Sequence, residues 1–239
     1  MKNHIEPDQT WSGLYKAGGV SAFLYVVIAI AVPGVMYMIN PILSNMTDGA
    51  DVIKLINEEK HFWMILQTTV LGTSFLAIIA FAALFLALKN VNKSYALIGA
   101  LIAITCHILF IAYYPVLLGL TNLAESYQSA AITQKLALIA AADALLAINN
   151  AFNPLYESVF GVSVLIFSLV MLKGVFHKYI AWLGILTAVA AIVALFLYPV
   201  LGIGYLWWWG LFMIWFVLVG WRLFKLGMKP GEKPLKNMK

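Results

Sequence analysis

Two ionisable side chains interrupt stretches of this chain that are otherwise almost wholly apolar. His107 lies in "LIAITCHILFIAYYPVLLGL" and Glu157 in "NPLYESVFGVSVLIFSL". An imidazole and a carboxylate held together in an apolar medium can relay protons, bind a small cation or hold a lipid headgroup. Tyr113, Tyr114, Asn153, Tyr156 and Cys106 stand near them along the chain, and Gln67, Thr68, Thr69 and Thr73 supply an earlier polar group. The candidate site is therefore His107, Glu157, Tyr113, Tyr114 and Asn153. The same residues also have an architectural reading. A buried histidine–glutamate hydrogen bond fixes the register of two helices, and a glutamate near a surface can simply face water. Sequence alone leaves both readings open.

Other chemistry finds little support. The four histidines, His4, His61, His107 and His177, form no pair four residues apart, and H-E-x-x-H is absent. There is no G-x-S-x-G, no phosphate-binding loop and no dinucleotide-binding glycine pattern. No metal or cofactor is expected, and no catalytic residue follows from a motif.

The elements that must position these residues follow from composition. Of 239 residues, 63% are hydrophobic and 10% charged. So short a soluble chain cannot hide that much apolar surface, so the surrounding solvent is lipid. Crossing the hydrocarbon takes roughly 20 apolar residues as a helix. Six segments qualify: Gly18 to Ile39, Phe62 to Leu88, Tyr95 to Leu120, Phe152 to Leu172, Tyr179 to Val200, and Tyr205 to Phe224. The opening "MKNHIEPDQTWSGLYK" does not read as a signal peptide, so the first apolar stretch is expected to be a retained span. The single cysteine, Cys106, excludes an intrachain disulfide.

Basic residues set the expected orientation. Lys2, Lys16, Lys89, Lys93, Lys173, Lys178 and Arg222 through Lys239 fall on one side of a six-span arrangement; only Lys54, Lys60 and Lys135 fall on the other. Both termini are expected in the cytoplasm, in the cell membrane. The net charge of +5 is then the orientation signal plus a basic tail at 229–239, next to anionic headgroups, and not a nucleic-acid footprint. Residues 1–228 form one transmembrane domain in this reading. On this map His107 lies roughly 12 Å and Glu157 roughly 10 Å below the outer face, a shared depth.

"YPVL" occurs twice, at Tyr114–Leu117 and Tyr198–Leu201, 84 residues apart. At the same offset Lys89 matches Lys173 and Tyr95 matches Tyr179. The second and third spans and the fourth and fifth therefore follow one plan, each expected to leave the membrane at its proline, with Gly119 or Gly202 turning the chain afterwards. His107 has Ala191 as its counterpart.

Two outer connections are long. The alanine- and leucine-rich stretch 121–151 predicts a helix on or dipping into the outer surface, free or continuous with the fourth span, and acting as a packing cap or a lid. In "YLWWWGLFMIWFVLVGW", Trp207, Trp208 and Trp209 are expected to form an interfacial aromatic belt, with packing against a pigment, a quinone or another subunit as the other possibility.

"ESVFGVSVLIFSLVMLKGVFHKYIAWLGILTAVAAI" resembles the late half of a prokaryotic integral-membrane family known as domain of unknown function 4386. There a long helix with phenylalanine and glycine leads to a short basic turn, here Lys173 to Lys178, before Trp182-Leu183-Gly184 starts the next span. "LYKAGGVSAFLYVVIAIAVPG" is similar to its small-residue first span. The resemblance implies a small helical bundle and no established activity.

The expected protein is all-α: a polytopic bundle of six transmembrane helices plus an outer amphipathic helix. Its first functional reading is a non-catalytic structural or accessory subunit that packs against membrane lipids and other membrane subunits. The second is a small transporter or intramembrane enzyme using His107 and Glu157.

Overall fold

The computed structural model describes residues 8–39, 48–201 and 207–228. The basic tail at 229–239, Gly202 and Tyr205 lie outside the described residues. A single 3-10 turn, Gln9–Trp11, leads into α1 (Ser12–Ile39). There follow α2 (Gly49–Glu58), α3 (Lys60–Leu88), α4 (Lys93–Ser129), α5 (Ile132–Met171), α6 (Lys178–Leu201) and α7 (Trp207–Met228). The described residues contain no strand, and every helix except α2 has the length and apolarity to cross a membrane. The chain is thus an all-α bundle of an integral membrane protein, as lipid requires of a backbone that must satisfy itself.

The helix boundaries have local causes. Asn92 caps α4, its side chain accepting from the Tyr95 amide at 3.1 Å, and so closes the tight turn after Lys89. Asp48 caps α2 by accepting from the Asp51 amide at 2.9 Å.

The six long helices pack in a closed cycle, α1–α3–α4–α5–α6–α7 and back to α1. Neighbours run antiparallel. Gly19 near the start of α1 faces Gly220 near the end of α7, where a Cβ would lie 2.7 Å from the Gly220 carbonyl, so only glycine permits this approach. Lys89, Lys93, Lys173, Lys178 and Lys225 consequently gather at one end of the bundle, the lysine end. There Arg222 donates twice to the Val175 carbonyl, at 3.1 and 2.8 Å, clasping α7 to the α5–α6 turn. Phe81 of α3 is fully buried at the centre, in ring contact with His107, Phe160, Phe167 and Phe216 from three other helices.

α4 and α5 are 37 and 40 residues long, against 22 for α7. At 1.5 Å per residue they exceed a hydrocarbon core of about 30 Å by roughly 25–30 Å. Their overhang projects at the end opposite the lysines and forms a helical hairpin that turns at Ala130 and Ala131. The stretch 121–151 is therefore no separate surface helix: it is the end of α4 and the beginning of α5, the latter continuous with the fourth span. The amphipathic helix lies in the first connection instead. α2 packs Val52, Ile53, Leu55 and Ile56 against Trp63, Leu120, Ala124 and Ala142. Gly49 donates to Asp143 Oδ1 at 2.6 Å, so the carboxylate that interrupts the apolar part of 121–151 holds the start of α2.

The prolines differ from expectation in the same way. Pro115 does not end α4, which continues to Ser129, and Pro154 lies inside α5. Each removes one backbone hydrogen bond, but packing on both sides of the break holds the helix together. α6 likewise includes Pro199 before its last described residue, Leu201.

Candidate functional site

α5 runs between α4 on one side and α6 with α7 on the other, and its side chains divide accordingly. Asn149, Asn153, Tyr156, Phe160, Ser163 and Phe167 recur at helical spacing and meet α3 and α4. Ser163 donates to the Gly99 carbonyl of α4 at 2.8 Å, and Phe160 and Phe167 touch Phe81 of α3; Phe160 also reaches across to Phe212 of α7 at 5.2 Å. Glu157, Gly161 and Ser168 recur one step away and meet α6 and α7. The two sequence candidates fall on these two faces at one depth. His107 is 14 residues after Lys93, and Glu157 is 14 residues before Met171. Each therefore lies about 21 Å from the lysine end.

His107 is 3% exposed. Its Nδ1 shares a hydrogen bond of 3.3 Å with the Tyr156 hydroxyl. Its ring stacks on Phe81 at 6.0 Å and meets Phe160 edge-on at 5.4 Å. Its Nε2 is buried and has no hydrogen-bond partner among the described residues. Leaving such an atom unsatisfied costs about 1–3 kcal/mol, which an apolar side chain of similar size would avoid.

Glu157 is 6% exposed and differently served. Trp208 Nε1 donates to Oε2 at 3.2 Å and Trp209 Nε1 to Oε1 at 3.1 Å. Two adjacent indoles thus clamp one carboxyl group, joining α5 to α7 in the bundle interior. Of the three tryptophans expected in an interfacial belt, only Trp207 is exposed, at 50%; Trp208 is fully buried. The reason is the carboxylate: a buried acid needs donors, and the indoles meet that need inside the fold. No hydrogen bond joins His107 to Glu157 among the described residues, because consecutive positions on α5 point to different neighbours.

Tyr113, Tyr114 and Asn153 belong with the His107 face. Together with Trp63, Gln67 and Asn149 they line a cavity of about 190 Å³ between α3, α4 and α5. Tyr113 donates to Asn149 Oδ1 at 3.4 Å, and Asn153 Nδ2 donates to the same oxygen at 3.4 Å. Phe110, also on the cavity wall, lies 4.8 Å from the Tyr156 ring. The cavity and the histidine are thus linked through an aromatic layer.

Sequence reasoning placed Tyr156 only nearby and missed Trp208 and Trp209 as partners of Glu157. The first is legible in the spacing, since Asn149, Asn153, Tyr156 and Phe160 share one helical stripe. The second pairing spans 51 residues, and no local pattern announces it. This chain matches no protein-family model, no curated protein and no solved structure.

Proposed function

We propose that this integral membrane protein handles a small ligand inside its bundle, in the manner of a small transporter or intramembrane enzyme, with His107 at the centre. The observation that supports this is the enclosed Nε2 of His107, which no described residue meets. An ionisable ring in the interior of a membrane bundle is expensive, and such groups mark ligand or proton pathways by default. Tyr156 fixes the ring through Nδ1 and leaves the second nitrogen to a ligand. Glu157 takes a supporting role here, tying α5 to α7. The lysine end faces the cytoplasm in this proposal, since 12 of the 15 basic residues fall on that side of the span map.

The accessory-subunit reading keeps one specific support. Ile132 and Leu136, one turn apart on the projecting part of α5, are 84% and 72% exposed. An apolar pair beyond the hydrocarbon suits a partner surface.

Native mass spectrometry of the full chain, extracted directly into lipid nanodiscs, separates the two. The ligand reading expects the chain alone or with copies of itself, carrying a small molecule that is lost in His107→Phe. A stoichiometric second polypeptide, with no small molecule in either version, would favour the accessory role instead.

A further inference from the structure

We infer that the cavity between α3, α4 and α5 is a binding site for a neutral molecule about one ring in size that carries a single hydroxyl or carboxamide group. Size sets the first limit. The cavity measures about 190 Å³, and a dry cavity of roughly 150 Å³ accepts benzene. One ring with a small substituent fits inside it.

The lining sets the chemistry. The lining is mainly apolar, with Leu71 and the ring of Trp63, whose N–H donates to Thr121 Oγ1 at 3.1 Å; its polar minority is the carboxamides of Gln67, Asn149 and Asn153 and the phenols of Tyr113 and Tyr114. None of these side chains carries a formal charge, so a charged ligand would lose its hydration without an opposite charge to meet. Carboxamides offer both donors and acceptors, which suits a ligand group able to give and take a hydrogen bond. The internal bonds are long. Asn149 Oδ1 receives both Tyr113 and Asn153 at 3.4 Å, near the limit at which such contacts count. A hydroxyl or amide placed among them makes shorter bonds than they make with one another. The aromatic wall favours a flat apolar body, with Tyr113 itself stacked on Phe152 at 4.5 Å.

The inference goes beyond the proposal for His107, which does not line this cavity, and the two fail separately. The test uses benzamide, its apolar counterpart toluene and its anionic counterpart benzoate. Saturation-transfer NMR reads their binding to the full chain in nanodiscs, against empty nanodiscs. Benzamide is expected to bind at least about fivefold tighter than toluene, the worth of roughly one hydrogen bond, and benzoate not at all. Asn153→Leu removes that preference and leaves toluene binding in place. Tyr113→Phe, which deletes one hydroxyl from an intact ring, weakens benzamide by about threefold. Leu71→Trp fills the cavity and abolishes the binding of both neutral probes, with unchanged helical content by circular dichroism. Leu101→Ala, at an exposed position of α4, leaves all three probes as they were. Equal binding of benzamide and toluene to the unaltered chain would overturn the assignment. So would benzoate binding as tightly as benzamide, or benzamide binding that survives Leu71→Trp.

Discussion

α5 meets α4 and α6 at the same depth with opposite materials. Toward α4 it presents Tyr156 and Phe160 to His107, in a region with a cavity above it. Toward α6 it presents Ser158 and Gly161 to Ala191, where a Cβ on Gly161 would lie 2.9 Å from the alanine Cβ. Ala191 is the counterpart of His107 at the 84-residue offset, so equivalent positions of two similar hairpins touch opposite faces of one helix. Small residues close one seam until no room remains. Large aromatic and polar residues keep the other face apart at the level of His107, and it closes again where Ser163 reaches the Gly99 carbonyl. The difference separates scaffold from site: on the tight face a change in volume should cost folding, and on the wide face a change in polarity should cost binding.

The largest effect is expected where the tight seam has least room. Any side chain at Gly184 of α6 would overlap both Ser168 Oγ and Trp215 Nε1. Gly184→Val should destabilise the bundle by more than about 3 kcal/mol, visible as loss of a cooperative thermal transition in detergent. A normal transition would mean that α6 can move away and that the seam is not tight.

Next comes the carboxylate clamp. Glu157→Leu leaves two interior indole N–H groups without their acceptor, at about 1–3 kcal/mol each. Thermal unfolding should register a loss of about 2–4 kcal/mol, and Glu157→Gln, which keeps one acceptor oxygen, should recover about half. An equal loss in both variants would point to charge, and not to hydrogen-bond acceptance, as what the indoles require.

His107→Phe should have the opposite sign. It keeps an aromatic ring against Phe81 and Phe160 and removes the unsatisfied nitrogen. Stability should stay level or rise by about 1 kcal/mol while the bound small molecule disappears. A fall in stability comparable to Glu157→Leu would make His107 a structural residue and dissolve the contrast between the faces.

The smallest effect lies outside the membrane, at the lysine end. Asp8 bonds the Thr10 hydroxyl and then Lys89 Nζ at 3.1 Å, and these pull its carboxyl from an ordinary 3.8 down to about 2. A depressed carboxyl adds stability that is whole above its unfolded value and vanishes as pH falls through its folded one. The protection factor of the Thr10 amide, its slowing relative to the intrinsic exchange rate at the same pH, should therefore hold above about pH 4 and fall as the pH approaches 2. Asp8→Asn should remove that dependence; an unaltered profile would show that Asp8 does not anchor this turn.

Much of the fold was legible because lipid is a strict solvent. Uninterrupted apolar length marked every span, and Lys89 and Lys173 marked the turns at one end. His107 and Glu157 stood out for the same reason, as charge-bearing groups in hydrocarbon. Their partners were not legible. Adjacent tryptophans point to different sides of a helix, and only the order in which helices close the bundle decides which carboxylate they reach. α2 went unread although Asp48 caps it and Val52, Ile53, Leu55 and Ile56 give it an apolar face. Ten residues are too few to stand out beside spans twice as long. Pro115 and Pro154 were poor guides to helix ends, because a helix packed on both sides of a proline tolerates the missing bond.

The central claim is that α5 carries a ligand site on its α4 face and a sealed scaffold on its α6 face. A high-resolution density map of the natively extracted protein tests it most directly. The account predicts non-protein density within hydrogen-bonding distance of His107 Nε2, and none between Gly161 and Ala191. A map in which His107 Nε2 is bonded only to a side chain of this chain or of a partner subunit would contradict it.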